Sequence, residues 1–182
     1  MGELAISHRK IDGVAILFSP ASLPVVDLFR ALGDFEENHD VAILDALQGR
    51  LSDIMSREAA KGIVSDSLLL AYGLRRERPE PLDLRPLLSR HGSLDEYCVV
   101  ALLGATFWHD LGLATQASEA LGVRQPQPLV SLGFDIARQF EAAGVMLEVP
   151  DARLLRPRLP NATVELVAAA AGRLDLRFSF DF

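Results

Sequence analysis

The sequence predicts an α+β fold: a helical middle of five to six helices, gathered around a central apolar helix and packed on an antiparallel sheet formed by N- and C-terminal strands. Three observations carry this expectation. Residues 4–8 and 14–18 are β-leaning runs separated by Asp12-Gly13, whose positive-φ chemistry suits a hairpin turn. Residues 173–182 alternate without a break, with Leu174, Leu176, Phe178, Phe180 and Phe182 on one face and Arg173, Asp175, Arg177, Ser179 and Asp181 on the other. Between the two ends apolar residues recur at helical spacing, and no regular β-α alternation supports a parallel sheet. The length of 182 residues fits a single domain, divided into an N-terminal hairpin at 1–20, a helical region at 21–144 and C-terminal strands at 145–182.

Each helix is expected from its punctuation. Ser22 caps the first through Leu32, with Pro24 in its first turn, and Gly33 stops it, leaving Asp34, Glu36, Glu37 and Asp40 in an acidic loop. Asp40 caps the second, which turns Leu44, Leu47, Leu51, Ile54 and Met55 to one side. Gly62 breaks the pattern, Ser65 or Asp66 restarts it, and Arg75, Arg76 and Arg78 meet the negative end of the helix before a linker at 77–81. Ser93 and Glu96 spell a capping box ahead of residues 97–103, which are apolar all round and so must be covered on every side. A helix from Asp110 to Leu121 ends at Gly122, Pro126 and Pro128 punctuate a connection, and residues 134–143 form the last helix before Gly144 and a β-leaning run at 145–149. Residues 163–167 read as one more strand.

Composition narrows the function classes. Hydrophobic residues make up 49% and charged residues 24%, which excludes a disordered chain. A net charge of −7 opposes a phosphate backbone, so nucleic acid is an unfavoured partner. With Cys98 as the single cysteine there is no internal disulfide and no thiolate-rich metal site, and a reducing cytoplasm is the expected setting. The longest apolar stretch, residues 97–108, is closed by His109 and Asp110 and is far shorter than a spanning helix, so no membrane is expected.

Candidate chemistry is sparse. Glu36 and His39 form one E-x-x-H, half of the pattern by which helical bundles hold paired metals; no second half exists, and neither metal nor cofactor is expected. Cys98 follows Asp95 and Glu96 in an aliphatic run, a setting for packing and not for a thiolate nucleophile. An enzyme acting on a small molecule would draw on Glu36, His39 and the rest of the acidic loop up to Asp40, together with His109. Residues 59–68 spell a helix-turn-helix, and residues 50–78 carry six basic against four acidic side chains. The recognition helix would be the apolar run 68–72, which offers base edges almost nothing, so this is a weak DNA-binding regulator at best. Arg153, Arg156 and Arg158 are anion-binding candidates. Arg173, Asp175, Arg177 and Asp181 are candidate interface residues, because two such strands meeting antiparallel bring opposite charges together in a homodimer. The leading expectation is a non-catalytic cytosolic protein that works by association, with itself or with a protein partner, as a subunit, adaptor or accessory factor.

Overall fold

Side-chain caps begin most of the helices, and close approaches between elements explain where they run on. The computed structural model describes residues 16–155. Helix α1 (Leu23–Asn38) follows Ser22, carries Pro24 in its first turn and passes straight through Gly33 to His39, whose φ of 56° ends it in the left-handed region. Gly33 is no stop signal: a Cβ there would stand 2.5 Å from Leu84 Cδ1, so the missing side chain admits a neighbouring segment. The expected acidic loop is therefore the last turn of a helix followed by a cap. Asp40 accepts from the Ala42 backbone N–H and starts α2 (Val41–Ser52), which buries Leu47 and Leu51 while Ile54 lies beyond its end and exposed.

Helix α3 (Arg57–Glu77) begins at Ser56 and is unbroken across Gly62. A Cβ on Gly62 would run into Gln139 Oε1, which makes this glycine the seat of α6 against α3. The turn expected within residues 59–68 is absent, and with it the local geometry of a helix-turn-helix at that position. Ser93 and Glu96 do form the reciprocal capping box, and it opens α4 (Leu94–Phe107). Asp110 caps α5 (Leu111–Ala120), and Gly122 follows with φ of 80°. Helix α6 (Pro126–Ala142) begins at Pro126, earlier than expected, because a proline costs nothing in a first turn whose N–H groups have no intrahelical acceptor.

The α+β expectation is corrected: the molecule is predominantly helical. Its one ladder among the described residues joins β1 (Ile16–Leu17) to β2 (His91–Gly92), with Ile16 opposite Gly92 and Leu17 opposite His91, and it does not link the two ends of the chain. Residues 145–149 are β-leaning in composition yet make no strand, because the chain here lies along α4 and finds side-chain partners: Trp108 Nε1 donates to the Leu147 carbonyl at 2.9 Å. The strands expected at 4–8, 163–167 and 173–182 fall outside the described residues.

The arrangement around α4 is corrected as well. Residues 95–106 are all buried, but α4 is not an axle ringed by the other helices. It packs on α1, α5 and α6, whereas α2 packs on α1 and α3, and α3 packs on α6. Two non-helical stretches lie against α4, one across its start (residues 82–92) and one along it (residues 147–151). An all-apolar helix dictates that it be covered; it does not dictate by what. No helix of the described residues is long and apolar enough to cross a membrane.

Candidate functional site

Helices α1 and α4 run antiparallel, fixed at two points. Ser22, before α1, donates through Oγ to Glu148 Oε2 at 2.6 Å, and the Glu148 carbonyl lies on Gly104 near the end of α4. Eight residues further along α1, Arg30 reaches Glu96 in the first turn of α4. Arg30 is 1% exposed; Nε donates to Glu96 Oε1 at 2.7 Å, one terminal nitrogen to Glu96 Oε2 at 3.2 Å, and the guanidinium also serves Asp27 and the carbonyls of Ser89 and His91. Burial works against this charge, but the contacts with Glu96 and Asp27 outweigh it and hold the Arg30 pKa above its ordinary value. Glu96 in turn accepts from the backbone N–H groups of Ser93 and Arg85.

A second buried pair lies beside the first. Arg78 donates to Asp95 Oδ2 at 2.9 Å, to the Leu121 carbonyl at 2.6 Å and to the Glu80 carbonyl at 3.2 Å, while Asp95 also accepts from the Asp83 backbone. Together the two pairs fasten the stretch after α3 across the start of α4. Between that stretch and the last turns of α1 and α3 they hold open a cleft of about 460 Å3. Phe29, Ala71, Leu82 and Leu84 give it apolar walls, and Glu36, Glu37, Arg75 and Glu80 stand around it. Its volume is in the range of ligand sites, roughly 300–1,000 Å3.

Of the candidate catalytic residues only Glu36 lies at this cleft, where Arg75 approaches it to 3.4 Å. His39 is exposed at the end of α1. His109 follows α4 with φ of 58°, and its ring stacks on Phe134 with centroids 5.9 Å apart. Because α1 and α4 are antiparallel, Glu36 lies beyond one end of the pair and His109 beyond the other, more than about 20 Å apart at 1.5 Å per helical residue. The structure does not bring Glu36 and His39 together with His109, and the Asp110 carboxylate is used to cap α5. Among the described residues no group of three or more His, Cys, Asp or Glu side chains could hold a metal ion. Cys98 is buried in α4. Arg153 is exposed in a short 3-10 turn (Ala152–Leu154); Arg156 and Arg158, and the interface residues Arg173, Asp175, Arg177 and Asp181, lie outside the described residues.

Sequence reasoning missed the cleft. Residues 77–81 read as a linker, and Arg75 and Arg78 read as charges on a helix end, because nothing in their spacing shows that the chain folds back on α1. One signal was available: Asp27 and Arg30 are the only charges in residues 23–32, an otherwise apolar run, and a charge set among apolar residues demands a partner. No family model matches the chain, and no curated protein or solved structure is significantly similar to it.

Proposed function

We propose that the protein is an association module, an adaptor or assembly component that binds a segment of another polypeptide in the cleft between α1, α3 and the stretch after α3. The observation that supports this is the construction of the cleft. Its walls are apolar, its frame is two buried ion pairs, and Arg78 is committed to that frame and not aimed at a reactant. Tyr72, the residue after Ala71 on α3, is exposed and offers an aromatic ring to a chain segment that continues beyond the cleft. The reading sets the protein in the cytoplasm, in keeping with its single cysteine.

Peptide display against the purified protein tests it, with Ala71→Leu as the control because the longer side chain projects into the cleft. The expected result is a set of peptides that bind the native chain and lose binding to Ala71→Leu, whose helical circular dichroism is retained. Peptides indifferent to Ala71→Leu, or no selected peptides, would remove the proposal.

A further inference from the structure

Charge around the cleft decides what it selects. Arg75 is matched by Glu36 at 3.4 Å and Arg78 by Asp95 at 2.9 Å, so both of its cations stand against carboxylates. Glu37 and Glu80 also face it, and among the described residues no cation is within ion-pair distance of either. The two pairs cancel Glu36 with Arg75 and Arg78 with Asp95, which lies behind the lining, and two negative charges, Glu37 and Glu80, remain over an apolar floor. Helices α1 and α3 both end here, and a helix C-terminus adds partial negative charge. A second copy docking through the same face would set these carboxylates against each other, in a chain already at −7.

Resting on the association reading above, we propose that the cleft takes an extended segment of a different protein in which apolar side chains are flanked by Lys or Arg. Apolar side chains enter against Phe29, Ala71, Leu82 and Leu84, and the flanking cations meet Glu37 and Glu80 at the rim, where water keeps them cheap to desolvate.

Isothermal titration of the full chain with two capped tetrapeptides, Arg-Leu-Phe-Lys and Glu-Leu-Phe-Asp, separates the possibilities. The cationic peptide is expected to bind about tenfold more tightly than the acidic one, with the gap narrowing in about 0.5 M salt. Glu37 and Glu80 are exposed, so the double substitution Glu37→Lys, Glu80→Lys leaves the fold intact and is expected to reverse the preference. Equal binding of the two peptides, or preference for the acidic one, overturns the charge selection while cleft-dependent display peptides keep the association reading standing. If neither peptide binds and display also yields nothing, both fall. Sedimentation velocity that shows dimers dissolved by the double substitution would overturn the inference in favour of a second copy.

Discussion

The carbonyl oxygen of Glu148 lies against Gly104 of α4, so closely that a Cβ on residue 104 would stand 2.5 Å from it. Backbone cannot step aside as a side-chain tip can. Gly104→Ala is therefore expected to destabilise the fold by about 1–3 kcal/mol, despite the better helix propensity of alanine. At Gly62 the obstacle is the flexible end of Gln139, and Gly62→Ala is expected to change stability by less than about 1 kcal/mol, since gained propensity offsets the displaced side chain. Urea melts of the two variants give the contrast; equal effects would mean that residues 147–151 do not press on α4.

Removing Arg30 strands a buried carboxylate. Arg30→Met is expected to cost about 3–5 kcal/mol, because it leaves the buried Glu96 carboxyl group with only backbone N–H groups to serve it. Adding Glu96→Gln removes that carboxyl group while preserving the capping geometry, so the double variant should be more stable than Arg30→Met alone. Additive losses in chemical denaturation would show that the pair is not coupled.

Burial pushes the Tyr97 phenol up to about 12. Its hydroxyl donates to the Asp151 carbonyl at 2.9 Å and accepts from the Asp151 N–H at 2.7 Å. A phenol that keeps its proton in the folded state and loses it near pH 10 in the unfolded state contributes stability that is full below about pH 10 and is lost as pH rises through about 12. The loss is on the order of 2 kcal/mol. Tyr97→Phe should flatten the stability profile between those two pH values, and an unchanged slope would place the phenol in water.

Ser67 is fully buried on α3, and its hydroxyl has no hydrogen-bond partner among the described residues. Ser67→Ala removes an unserved polar group at almost no change in volume, and is expected to raise stability by up to about 1 kcal/mol. A thermal melt showing a loss of more than that would reveal a partner for the hydroxyl.

Local chemistry was legible in the sequence and contact was not. The capping box of Ser93 and Glu96 and the cap at Asp40 were read correctly, because a cap and its targets are separated by only two or three residues; Asp110 was placed at the start of its helix, and its side chain caps α5. Gly33 and Gly62 were read as helix ends, since glycine is a poor helix former and nothing nearby shows that Leu84 or Gln139 will pass over it. The β-leaning run at 145–149 was read as a strand, and its backbone instead meets Trp108, 39 positions before Leu147. The same limit hid the cleft: Glu96 announced itself as a cap, but its second role, as partner to Arg30, depends on a residue 66 positions away.

Amide chemical-shift mapping of the full chain with the cationic peptide locates the bound segment residue by residue. The largest changes are expected at Gly33, Glu37, Ala71, Arg75, Leu82 and Leu84, saturating together, while Trp108 and Met146 near the opposite end of α4 stay unmoved. Changes centred on Trp108 and Met146, with the cleft silent, would contradict binding at this site.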